Sequence, residues 1–159
     1  MKGRMPFAVA VPILLGQLVL TYLSVLARTG GTYSYPVDDA FIQLSIARHV
    51  TFDGVYGVTK HVFSAASSSI LWPLLLAAID RVAGDRLLTP LLLNGLFAVG
   101  LVAFFNRLLD RASASATWAW RLFWVCALVL LTPLPSLVFT GMDDTGHLSH
   151  TVTLTLNVQ

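Results

Sequence analysis

The sequence of 159 residues has no glutamate, a single cysteine and very little charge of either sign. Each shortage excludes something. Charged residues make up 11 %, against roughly 25 % in soluble domains, and the mean hydropathy is +0.76. An ordinary water-soluble domain is excluded, and the chain reads as a membrane protein. Cys126 is alone and cannot close an internal disulfide; inside an apolar run it suits a small packing residue. The ten basic residues are scattered and mostly flank apolar segments, so a net charge of +2 and a pI near 9.0 speak for topology and against a nucleic-acid partner. There is no glycine-rich nucleotide loop, zinc-ligand spacing, nucleophile elbow or tandem repeat. With glutamate absent, all eight acids are aspartate, and half of them stand as the adjacent pairs Asp38-Asp39 and Asp143-Asp144.

What is abundant is apolar sequence. Lys2 and Arg4 precede residues 6–27, an uncharged run that extends roughly 33 Å as a helix, enough to cross a bilayer. A cleaved signal peptide ending near Val25-Leu26-Ala27 competes, but its apolar core would be about 7–15 residues. Residues 28–69 are polar enough to lie in water or at the headgroup level, and the outer loop runs from 28 to 86. Within it 39–50 reads as a short helix whose Ala40, Phe41, Leu44 and Ala47 recur at three- and four-residue spacing, suited to the membrane surface. Residues 70–83, interrupted by Pro73 and closed by Asp80-Arg81, are apolar but shorter than the roughly 17–25 residues of a span.

Segments 87–106 and 122–140 are full-length spans, with Trp118, Trp120 and Trp124 as an aromatic belt. Between them Arg107, Arg111 and Arg121, with Asp110, form the densest basic cluster, which belongs in the cytoplasm together with Lys2 and Arg4. That arrangement holds if 70–83 stays at the outer interface, and it brings both aspartate pairs to the outer face. A further helix begins near 147, and the Thr-rich end at Gln159 is expected to be a cut in a longer frame. The expected fold class is all-α: polytopic transmembrane helices with an outer-face loop carrying short amphipathic interfacial helices.

Local pattern alone makes Asp38, after Pro36-Val37, a good helix N-cap, and Asp39 a residue favoured by the positive end of the helix dipole. Three motifs add to this. The first is Asp38-Asp39-Ala40-Phe41-Ile42, followed by Ala47-Arg48-His49 and a turn at Gly54. The second is Ser69-Ile70-Leu71-Trp72 with Leu74-Leu75-Leu76-Ala77. The third is Pro135 followed by Thr140-Gly141-Met142-Asp143-Asp144-Thr145-Gly146-His147. In order and placement they resemble the N-terminal part of the integral-membrane, C-type glycosyltransferases, a group that includes protein mannosyltransferases and aminoarabinose and arabinosyltransferase-like enzymes. Ile70 stands where that family has proline, and Asp143 where it has glutamate.

The resemblance implies a transferase that moves a sugar from a polyprenyl-phosphate donor to a lipid, glycan or protein acceptor on the outer face of a bacterial-type inner membrane. Such transfer needs a carboxylate to deprotonate or orient the acceptor and positive charge to meet the departing phosphate. Adjacent helical residues do not face one another, so one acid of the first pair is expected to be catalytic and the other a cap. The family's catalytic acid lies nine residues before the helix arginine, which implies Asp39 as base with Arg48 as that arginine, and leaves Asp38 as the cap. Asp143 is the second carboxylate, a candidate to hold the acceptor, the sugar or a divalent cation; no metal is assigned. Arg48, Lys60 and His61 are candidate donor-phosphate contacts, and Asp144 and His147 candidate substrate contacts. His147 and His150 share a helical spacing but lack a third metal ligand. The family's enzymes continue through further helices, so this chain alone is expected to be inactive. The alternative is a non-catalytic membrane fragment or small interaction protein whose helices pack with partners.

Overall fold

The computed structural model describes residues 4–67, 69–84, 86–112 and 117–141. These are helical, with no strand among them beyond one isolated bridge between Thr59 and Val62. Six helices follow one another: α1 Arg4–Arg28, α2 Asp38–Phe52, α3 Leu71–Ala83, α4 Thr89–Ala112, α5 Trp118–Leu131 and α6 Leu134–Phe139. They divide into two compact units. One holds the described residues up to Ser34 and from Gly95 to Ser136, the other those from Tyr35 to Asn94 and from Leu137 onward.

In the first unit α1 packs against α5, with Ala10 and Leu14 of one helix and Val125 and Val129 of the other fully buried. The rest of α1 stays outward and apolar, Leu15, Val19, Leu20 and Leu23 included. Two of its hydroxyls bond back to the helix: Thr21 donates to Gln17 O at 2.8 Å and Ser24 to Leu20 O at 2.7 Å. The helix stops at Gly30, whose φ of 66° lets the Gly31 N–H reach Leu26 O at 2.8 Å, closing the last turn in a Schellman arrangement. Two helices, Pro6–Arg28 within α1 and Thr89–Ala112, are long and apolar enough to cross a membrane. At the far end of α4, Asp110 pairs with the buried guanidinium of Arg121 on α5.

The run 122–140 is not one helix. It breaks into α5, 14 residues long, and the short α6. Pro133 is the cause: it has no N–H to give, and its ring drives the residue before it out of the helical region. Thr132 accordingly sits at φ −89°, ψ 147°. At 14 residues, α5 rises only about 21 Å, short of a roughly 30 Å hydrocarbon core.

In the second unit α2 packs against α3. Of the apolar stripe expected to lie on a membrane surface, Ala40, Leu44 and Ala47 are buried inside the unit, with Ile46, and only Phe41 is exposed; Trp72, Leu76 and Ala77 of α3 are buried too. Thr51 ties the pair together, its hydroxyl reaching Ala47 O at 2.8 Å and Ala77 O at 3.1 Å. Pro73 does not interrupt α3 but falls in its first turn, where a missing N–H costs nothing. The loop after α2 folds back on itself, and a side chain at Gly57 would stand 2.2 Å from Val62 O.

Candidate functional site

Asp38 and Asp39 are the first two residues of α2, and both are exposed. Neither is the N-cap. That position belongs to Val37, with extended φ and ψ and no side-chain hydrogen bond, so the expectation of Asp38 as cap fails. The structure starts the helix one residue earlier than the Asp pattern suggested, which leaves both carboxylates in the first turn, where the helix dipole favours them.

The acid pair begins beside the place where three distant motifs meet. Gly141, at φ +72°, lies so close to Tyr35 and Ala40 that a Cβ there would stand 2.7 Å from the Tyr35 ring and 2.8 Å from the Ala40 Cβ. Its carbonyl accepts the indole N–H of Trp72 at 3.1 Å. Tyr35 is itself fixed: its hydroxyl donates to Leu87 O at 2.7 Å and accepts from Leu91 N at 3.2 Å, and Phe41 packs edge-on against its ring. Tyr35, Ala40, Trp72 and Gly141 are all buried. Gly141 is required on two counts, because positive φ and close approach both exclude a side chain.

The cations sort differently from expectation. Arg48 and Lys60 line one groove of about 540 Å³ together with Ser45, His49, Phe52 and Asp53. His61 is exposed and is not in its wall. Within the groove His49 Nδ1 and Asp53 Oδ2 stand 2.8 Å apart. Helical geometry then decides which acid shares this face. At about 100° per residue, Ser45 and His49 fall within roughly 20° of Asp38, whereas Arg48 is about 180° from Asp39. The nine-residue spacing that pointed to Asp39 is therefore the spacing of opposite faces. Asp38, Ser45, His49 and Phe52 form one line down α2.

Asp143, Asp144, His147 and His150 lie outside the described residues. Among the described residues no group of three or more His, Cys, Asp or Glu side chains could hold a metal ion. The sequence assigned no site role to Tyr35, Ser45, His49, Phe52 or Asp53. The signal for the groove was present in the recurrence of Ser45, His49 and Phe52 at steps of four and three.

Compared with family models, with curated proteins and with solved structures, the chain matches none. Among the described residues, fold and site together define an all-helical arrangement with two helices of membrane-crossing length, and a helical unit that carries an acid pair at the start of α2 and a cationic groove along the second half of that helix.

Proposed function

We propose that this protein works as an integral-membrane glycosyltransferase of the C type, moving a sugar from a polyprenyl-phosphate donor to an acceptor on the outer face of the membrane. The observation that carries the reading is the meeting of Tyr35, Ala40, Trp72 and Gly141: three motifs spread over more than a hundred positions converge where α2 presents its two acids. The positive-inside rule supports a cytoplasmic side for Lys2 and Arg4 before α1 and for Arg107 to Arg121 after α4, and an outer side for the loop between α1 and α4.

Asp38, on the line of α2 that also holds Ser45 and His49, takes the proton of the acceptor hydroxyl or amine as the acceptor attacks the anomeric carbon. The bond from that carbon to the phosphate oxygen breaks, and the phosphate leaves with its electron pair. Arg48 and Lys60 meet the charge that develops there. Asp143 is the second carboxylate of the reading, for the acceptor or a divalent cation, with Asp144 and His147 beside it in sequence.

Membranes carrying the 159 residues joined to the further helices that the resemblance implies, given radiolabelled polyprenyl-phosphate pentose or hexose, test this directly; by themselves the 159 residues are expected not to consume donor. The expected result is donor consumption that disappears in Asp38→Asn and weakens in Arg48→Gln and Lys60→Gln. Consumption no greater than in membranes lacking the protein overturns the reading.

A further inference from the structure

Of His49 and His61, the groove holds the one that carried no expected role. His49 lines it beside Arg48 and Lys60, while His61 is exposed and outside its wall. His49 is the basic residue in the last turn of α2, and Asp53 is the C-cap of that helix. The Asp53 N–H donates to His49 O at 2.9 Å, and the Val55 N–H reaches the same carbonyl at 3.3 Å. The backbone therefore holds the two residues together, and their side chains meet with His49 Nδ1 2.8 Å from Asp53 Oδ2. The imidazole is 20 % exposed, a ring set into the groove wall with its position fixed from one side.

That contact decides what the other ring nitrogen can do. A carboxylate only accepts, so the proton on Nδ1 is committed to Asp53. In the neutral ring Nε2 then carries a lone pair, which repels an anion; in the protonated ring Nε2–H is a charged donor. The remaining charge of the groove is simple. Arg48 and Lys60 against Asp53 leave one positive charge, and a protonated His49 makes it two. Asp38 and Asp39 stand at the opposite end of α2. On α3, which packs against α2, Asp80 is buried and Arg81 exposed, and neither lines the groove. Imidazole changes charge between about pH 5 and 8, where arginine, lysine and aspartate side chains ordinarily do not.

We propose that His49, positioned by Asp53, is a third phosphate contact of the groove, and that the protonated imidazole captures the phosphodiester of the donor together with Arg48 and Lys60. Donor binding thus takes up a proton: it is tight at low pH and weakens as pH rises and the imidazole becomes neutral. The proposal rests on the transferase reading and deepens it, making His49 a substrate-binding residue and Asp53 the residue that aims it.

Farnesyl methyl phosphate, a polyprenyl phosphodiester whose single negative charge does not titrate, tests this by equilibrium binding to the detergent-solubilised full chain. Affinity is compared at about pH 5.5 and about pH 8, near either end of the range in which imidazole titrates. The expected result is binding about tenfold tighter at the lower pH, the scale of one charge-assisted hydrogen bond. His49→Gln should bind at both pH values as the parent does at the higher one. Asp53→Asn should move the fall in affinity to lower pH, because an adjacent opposite charge favours a charged ring. Calorimetry in buffers of different ionisation enthalpy counts the proton taken up by the parent itself, a measurement that needs no variant to fold. Equal affinity at both pH values, no proton uptake, or a pH dependence that survives in His49→Gln overturns the proposal. If such pH-independent binding still weakens in Arg48→Gln and Lys60→Gln, the phosphate reading of the groove stands and only the role of His49 fails. Binding that never saturates at either pH removes the groove from the transferase reading as well. Displacement by an equal concentration of short-chain phosphatidylglycerol, a lipid phosphodiester without the polyprenyl chain, would give the groove to bulk headgroups and overturn its tie to the donor.

Discussion

The indole N–H of Trp72 donates to the carbonyl oxygen of Gly141 at 3.1 Å, joining residues 69 positions apart. Trp72 is 3 % exposed, so neither partner has water to fall back on. Through this bond the start of α3 holds the end of the described chain against Tyr35 and Ala40, and hence beside Asp38 and Asp39. Replacing Trp72 with Phe keeps most of the apolar volume but leaves a buried carbonyl without its donor, a loss of about 1–3 kcal/mol. Thermal unfolding of the detergent-solubilised protein should show Trp72→Phe clearly less stable than the parent. An unchanged midpoint would mean the bond is not maintained in solution.

Gly141 and Gly30 both have positive φ, but only Gly141 is crowded: nothing lies within 4 Å of a side chain at Gly30. Gly30→Ala should therefore cost only the backbone strain, about 1 kcal/mol. Gly141→Ala adds a clash with the Tyr35 ring and Ala40, and should cost about 3 kcal/mol or more. The same unfolding assay compares them. Equal losses would show that Tyr35 can move aside, and with it the convergence beside the acid pair.

The two acids make opposite predictions in the transfer assay. Asp38 shares a face with Ser45 and His49, so Asp38→Asn should abolish most transfer, on the scale of about 10²–10⁴-fold for a lost general base. Asp39→Asn should leave transfer within a few-fold of the parent. A reversed order would restore the nine-residue spacing to Arg48 as the better guide and remove the groove from the reaction.

Topology is checked by labelling single cysteines in the Cys126→Ser background with a reagent that cannot cross membranes. A cysteine at exposed Lys60 should react from outside and one at exposed Arg111 only after the vesicles are opened. Reaction at position 111 from outside would invert the orientation drawn from the basic flanks.

Some of this was legible without coordinates. Runs free of charge and long enough to cross a bilayer announce α1 and α4, because length and hydropathy are properties of a segment alone. The aspartate pair and its helix were visible for the same reason: turn and helix preferences act over a few residues. Pro133 was visible too, yet its effect was missed, because hydropathy over residues 122–140 carries no information on the N–H that proline lacks.

Which face of α2 is buried was not legible. Ala40, Leu44 and Ala47 have the same spacing whether lipid or α3 covers them, and only the packing of α3 decides between the two. The same holds for the groove, where Lys60 joins Arg48 through a loop that no local preference specifies. Local chain physics thus determined where helices form and how long they are. The meeting of Trp72 with Gly141 came only from tertiary contacts between distant segments, whose pairing depends on the shapes of both partners at once.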